Sequence, residues 1–254
     1  MHLTLIGVTA FAVSLASGML GLGGAVLLIP AYLYLPRLFA TPALGMKSIS
    51  GMTSLQVLAS ALLGMWIHKR HGSVDSRLAW TMGVPITAAS FTGATLSGSV
   101  HPDFLVGTFA CMAILGAVLM AATAEPADRK NPVVYRTGLA VTIAIVVGLF
   151  GGAVGAPGAF LLSPLMMTAL KIPTRVTVGT TLGIVVFSAL ATSAGKIFAG
   201  QVPPTETTVA VLASLPGVVL GSRFSYLCRP RALRWALAAV VLGVGVGMWY
   251  QVLF

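Results

Sequence analysis

Two apolar runs of this chain, 3–35 and 139–170, are each too long to be one ordinary membrane helix, and each is interrupted by a glycine cluster. Ser17-Gly-Met-Leu-Gly-Leu-Gly-Gly-Ala-Val-Leu-Leu-Ile-Pro30 returns as Val147-Gly-Leu-Phe-Gly-Gly-Ala-Val-Gly-Ala-Pro-Gly-Ala-Phe-Leu-Leu-Ser-Pro164. Gly24 to Pro30 aligns with Gly158 to Pro164 and Gly18 with Gly148, the second copy carrying four extra residues between these anchors. An unbroken helix of 33 residues would be about 50 Å long, against a hydrocarbon core of roughly 30 Å. Such a run either tilts steeply or folds back at its glycines as a hairpin of two half-helices. The hairpin absorbs the excess more naturally.

A chain with 57% hydrophobic and 8% charged residues cannot hide its apolar surface in a water-soluble core. Runs of about 20 apolar residues between short charged loops define a polytopic helical membrane protein. Helices satisfy their own backbone groups in lipid, and the ten-residue alternating segments of a β-barrel are not visible. After the first broken run come segments at 48–67, 78–100 and 104–123. Pro85 is expected to kink the second of these. The polar stretch Glu125-Pro-Ala-Asp-Arg-Lys-Asn-Pro132 is the one convincing linker. Beyond it the pattern restarts, with segments at about 176–198, 205–227 and 235–254. The expected organisation is a first membrane repeat over 1–124, a cytoplasmic linker over 125–137 and a second repeat over 138–254. Each repeat is a Gly-broken re-entrant or discontinuous helix followed by three transmembrane helices.

The net charge of +10 comes from cations lying between apolar runs without aromatic interleaving, which excludes a nucleic-acid interface and fits orienting loop charges. If all eight runs cross, the Lys and Arg residues divide seven against eight and give no orientation. If the two broken runs are hairpins, twelve fall on one side and only Arg37, Lys47 and Lys196 on the other. That asymmetry predicts inverted halves with both termini periplasmic. The first segment, lacking a basic leader, is expected to be retained.

Glycines such as Gly18 and Gly148 suit close helix packing. The density at Gly21, Gly23, Gly24, Gly151, Gly152, Gly155 and Gly158, with Pro157 beside them, points instead to backbone leaving helical form around a buried cavity. Half-helices restarting at Ala25 and Ala159 would turn their N-termini, with free N–H groups and partial positive charge, toward an anion. Ser48 and Thr180 occupy matching places at the openings of the next helices, as do Ile49 and Thr181. Their hydroxyls either donate to a substrate or cap their own helices. Lys47, opposite Gly179 in the repeat, either snorkels or supplies charge at an anion site. Lys196, near the end of its helix, is expected to snorkel. Gln56 within its segment either serves the site or bonds a neighbouring helix. The candidate substrate-binding set is therefore Gly23, Gly24, Ala25, Lys47, Ser48, Gln56, Gly155, Gly158, Ala159, Thr180 and Thr181. All five carboxylates fall in loops or at segment ends, so no metal site and no intramembrane proton relay is expected. Cys111 and Cys228 form no C-x-x-C motif, and no cofactor is expected.

The paired openings Gly18-Met-Leu-Gly-Leu-Gly-Gly and Gly148-Leu-Phe-Gly-Gly, together with Val178-Gly-Thr-Thr181 and Gly72-Ser-Val-Asp75, resemble the TauE/SafE sulfite-exporter family over nearly the whole chain. The resemblance implies a permease for sulfite, organosulfonates or related anions in a bacterial inner membrane. Gly23, Gly24, Gly158 and Thr180 match the family's motifs most closely. Met46-Lys-Ser48 departs from the usual Gly-Thr-Ser pattern and bears on selectivity. The expected protein is not an enzyme but a secondary carrier, with a small anion and the lipid bilayer as its partners and homodimerisation open. A carboxylate carrier and a membrane redox or assembly factor are the alternatives.

Overall fold

The computed structural model describes residues 2–20, 24–39, 44–69, 75–122, 135–225, 239, 241–243 and 245–249. Gly21, Gly23, most of the 70–75 loop, the 125–132 linker and Cys228 lie outside the described residues. Among those described, every regular element is an α-helix: α1 (His2–Leu20), α2 (Ala25–Leu38), α3 (Met46–Lys69), α4 (Ser76–Leu96), α5 (Pro102–Ala122), α6 (Thr137–Val154), α7 (Ala159–Thr168), α8 (Thr174–Phe198) and α9 (Pro204–Ser225). Within these, Met46–Met65, Pro102–Ala122, Thr137–Val154 and Gly179–Phe198 are long and apolar enough to cross a membrane. Large apolar side chains, among them Val8, Trp80, Val84, Leu115, Val118 and Leu212, point outward from the bundle. On a polytopic membrane protein such residues face lipid.

Both long apolar runs fold back at their glycines. Ser14 on α1 and Tyr32 on α2 meet the same side chain: Gln56 Nε2 donates to Ser14 Oγ at 3.2 Å, and Tyr32 Oη donates to Gln56 Oε1 at 2.9 Å. In a continuous helix two residues so spaced would be about 27 Å apart, so α2 returns alongside α1. In the second run, a Cβ placed on Gly158 would run into Val147 Cγ1, although a straight helix would separate them by about 16 Å. The hairpins are uneven. α6 has 18 residues and can span the core alone, whereas α7 has 10, so the second run is a long arm with a short return rather than two equal halves.

Local chemistry explains the breaks. Gly155 ends α6 in the left-handed conformation (φ 76°), its N–H and that of Ala156 closing on Gly152 and Gly151 carbonyls. Pro157 cannot extend the helix, and Gly158, again left-handed (φ 71°), opens α7 with no side-chain cap. Gly24 adopts the same conformation (φ 73°) before α2.

The main helix pairings of the first half recur among the later helices. α1 packs on α9 just as α6 packs on α4, α2 meets α3 as α7 meets α8, and α3 packs on α8. One aligned pair of glycines makes similar contacts. A Cβ on Gly18 would come within 2.7 Å of the Val218 carbonyl, and one on the aligned Gly148 within 2.9 Å of the Ile86 carbonyl. Both glycines permit close backbone approach, the packing role small residues take in lipid. α1 runs parallel to α9, with Gly7 beside Val209 and Gly18 beside Val218, and α6 runs parallel to α4, with Gly148 beside Ile86 and Gly152 beside Ser90. α3 and α8 run antiparallel: Gly64 faces Leu182, while Gly51 lies against the carbonyl of Gln201, just beyond the end of α8. Pro85 is accommodated within a continuous α4.

Candidate functional site

The polar groups buried in the bundle gather along α3 and α8. On α3, Ser50, Thr53, Ser54 and Gln56 are fully buried, and on α8, Thr177, Thr180, Thr181, Ser188, Thr192, Ser193 and Lys196 are buried. These groups make a polar seam along the two helices and the elements packed on them, in an otherwise apolar protein. Part of the seam is closed by internal bonds. Thr53 returns its hydroxyl proton to the Ile49 carbonyl, and Ser90 on α4 pairs with Ser188 at 2.7 Å.

At one end of the seam sits Lys196, which the sequence reading expected to snorkel to the surface. The structure overturns that expectation, because Lys196 has no exposed surface at all. Its ammonium donates to Ser97 Oγ (2.7 Å), the Ala153 carbonyl (2.7 Å) and Gln201 Oε1 (2.9 Å). These partners come from the end of α4, the last turn of α6 and the α8–α9 turn. The turns at 97–101 and 199–203 lie over the end of α8 and shut the lysine in. Nearness to a helix terminus in sequence is therefore not nearness to solvent here. Lys47, half-buried, donates to the Gly98 carbonyl at 2.7 Å, so both lysines bind consecutive residues of the same helix end. Carbonyls at a helix C-terminus lack intrahelical partners and carry partial negative charge, which favours cations.

The break after α6 closes this end. A Cβ on Gly155 would overlap both the carbonyl and the hydroxyl of Ser50, so the break lies directly on α3. Ser50 Oγ, Thr192 Oγ1, Ser193 Oγ and Gln201 Nε2 are buried and have no hydrogen-bond partner. Most buried polar groups are satisfied, so four such atoms at this end of the bundle stand out.

The residues singled out from sequence fall into separate bonded groups. Lys47 and Gly155 belong to the Lys196 end, and Ser48 lies half-buried on the first turn of α3. Thr180, fully buried, accepts the backbone N–H of Asp75 at 3.0 Å, while the Asp75 carboxylate caps α4 by accepting from the Leu78 N–H. Thr181 accepts from Ser163 Oγ and donates toward Met166 Sδ, both at 3.4 Å, tying α8 to α7. Gln56 bonds Tyr32 and Ser14, and Gly24 lies against Ser17. Ala25 and Ala159 are the first residues of α2 and α7. Gly158 sits against Val147, and Gly23 lies outside the described residues. Lys196, Ser50, Ser193 and Gln201 were not in the predicted set. The signal that could have found Lys196 is its place on α8: Thr192 and Ser193 precede it by one helical turn, making a polar face.

No group of three or more His, Cys, Asp or Glu side chains able to hold a metal occurs among the described residues. Asp75, Asp103 and Glu206 are the described carboxylates and none is buried. Asp103 pairs with His101 at 3.2 Å on the surface.

An all-helical bundle with outward apolar faces, folded-back apolar runs and a buried polar seam belongs to the class of polytopic membrane transporters. The chain is a member of the sulfite exporter TauE/SafE family, whose model matches residues 6–248. It is 26% identical to "Probable membrane transporter protein YdhB" of Bacillus subtilis over 92% of this chain and 94% of that protein. It is 22% identical to "Probable membrane transporter protein YunE" of the same organism over 93% of each. A "Probable membrane transporter protein" of Xylella fastidiosa is 28% identical over 67% of this chain and 64% of that one. No solved structure gives a significant match.

Proposed function

We propose that this protein is a secondary carrier exporting a small sulfur-containing anion, sulfite or an organosulfonate, across a bacterial inner membrane. The observation that carries the mechanism is the exchange-symmetric pairing of α1 with α9 and α6 with α4 around an antiparallel α3–α8 pair. Two halves of inverted topology provide two near-equivalent packings, and rocking between them is the usual route to alternating access. The family match supports the sulfur anion, and the buried cation without any buried carboxylate among the described residues supports an anion over a cation. Export needs no carboxylate relay, because an anion leaving a negative-inside cell gains roughly 2.3 kcal/mol per charge per 100 mV.

Proteoliposomes loaded with sulfite, taurine-type sulfonates or matched carboxylates test the reading. Protein-dependent efflux of a sulfur anion, accelerated by inside-negative potential, is the expected result. Efflux of carboxylates with none of sulfite or sulfonate would overturn the substrate class.

A further inference from the structure

We infer that the Lys196 end of the α3–α8 seam is the anion-binding site, built from Lys196, Ser50, Ser193 and Gln201 with Lys47 as an outer cation. This rests on the anion-export reading and assigns it a place in the fold. The two lysines face the C-terminal ends of α4 and α6, each carrying roughly half a negative charge. When Lys196 carries its proton, two cations face about one unit of helix-end charge and the end is net positive. No carboxylate bonds either lysine among the described residues. A buried cation of this kind is strongly disfavoured unless charge is supplied to it.

Several buried donors at this end lack an acceptor. Gln201 Oε1 is taken by Lys196, which leaves the amide Nε2, a group that can only donate, buried with no partner. Ser50 Oγ and Ser193 Oγ are likewise unpartnered. Ser193 stands one turn before Lys196 on the same helix. Ser50 lies on the facing helix at the same end: an added Cβ on its neighbour Gly51 would meet the carbonyl of Gln201, the residue that Lys196 bonds. Gly64 faces Leu182 across the antiparallel pair, and moving about four helical turns back along α3 and on along α8 brings Ser50 and Lys196 to the same end. Gly155 supports this placement, since its contact with Ser50 lies two residues from the Ala153 carbonyl that Lys196 holds. A small oxyanion is acceptor-only, matching one ammonium, one amide N–H₂ and two hydroxyls. Lys47, half-buried at the same helix end, marks the side from which the anion arrives.

A lysine that merely ties helix ends together would be indifferent to anions, and Gln201→Glu separates the two roles. The carboxylate keeps the acceptor that Lys196 uses and pairs with the ammonium internally, so folding is preserved while the anion is replaced. The experiment is sulfite titration of the full chain in nanodiscs by calorimetry, with thermal unfolding as the fold control. Gln201→Glu should bind at least about tenfold more weakly with its unfolding temperature unchanged or raised, and Ser50→Ala a few-fold more weakly. Lys196→Gln should lose binding, and if it fails to fold the other two variants decide. Wild-type affinity, within twofold, in folded Gln201→Glu and Ser50→Ala overturns the site, as does wild-type protein binding no tested anion up to ~10 mM. Binding of nitrate or acetate but not sulfite, lost in Gln201→Glu, upholds the site and sinks the sulfur-anion reading.

Discussion

The two ends of the α3–α8 pair are built on one plan and differ in charge. Aligning Ser48 with Thr180 also aligns Gly51 with Gly183 and Ala59 with Ala191, and it sets Lys196 against Gly64, Lys47 against Gly179 and Ser50 against Leu182. One end holds a lysine, with a serine under the Gly155 break; at the other, a Cβ added to the glycine would lie 3.6 Å from a leucine. The backbone repeats and the chemistry does not. The proposed alternation needs only similar packings in the two halves, whereas a ligand has to be held by residues that need not be duplicated. The proposed anion site lies at the asymmetric end.

The largest effect that would sharpen this contrast is Gly155→Ala. Gly155 is left-handed, and an added Cβ meets the backbone and hydroxyl of Ser50, neither of which is a flexible tip. Strain and overlap together should cost about 3 kcal/mol or more. Unfolding of the purified protein in detergent checks it; a shift of under a degree would mean that the break does not rest on α3. Gly24→Ala has the same φ problem, but its Cβ meets Ser17 Oγ at 3.1 Å. A serine can turn away, so about 1 kcal/mol is expected there.

Next comes the pair of lysines. Lys196→Ala strands the Ala153 carbonyl and Gln201 Oε1 in a buried place and opens a void, a loss of about 2–4 kcal/mol. Lys47→Ala exposes the Gly98 carbonyl to water and should cost about 0.5 kcal/mol. Comparable unfolding midpoints for the two variants would contradict the difference in burial on which the comparison depends.

How far the sequence revealed these features depends on whether the determining contacts are local. The starts of α2 and α7 were legible because glycine and proline act through their own φ angles, at Gly24, Pro157 and Gly158. The packing of Gly18 and Gly148 was legible as a small-residue pattern, though not the Val218 and Ile86 carbonyls they meet. Lys196 was misread because most of what buries it, the turn at 97–101 and the end of α6, is distant in sequence, while the adjacent turn at 199–203 folds back onto it. Thr180 shows the same limit. Whether its hydroxyl served a ligand or a cap could not be decided locally, and its observed partner is the Asp75 N–H, 105 residues away. Thr180→Val removes that acceptor at the uncharged end and should lower stability by about 1 kcal/mol. It should leave sulfite affinity unchanged; a tenfold weaker Kd would move the ligand toward that end.

The smallest expected effect lies at Gly64, and it is the sharpest control on the alignment itself. Gly64 occupies the place of Lys196 in the repeat, within a helix, and an added Cβ would make ordinary contact with Leu182. Alanine there trades backbone freedom for helix propensity, worth up to about 1 kcal/mol in its favour. Gly64→Ala should therefore be neutral or slightly stabilising, in contrast to Gly155→Ala. If α3 and α8 were in another register, Gly64 would face backbone as Gly51 does, and the same alanine would be strongly destabilising. One unfolding curve thus tests the register that places Ser50 at the same end as Lys196.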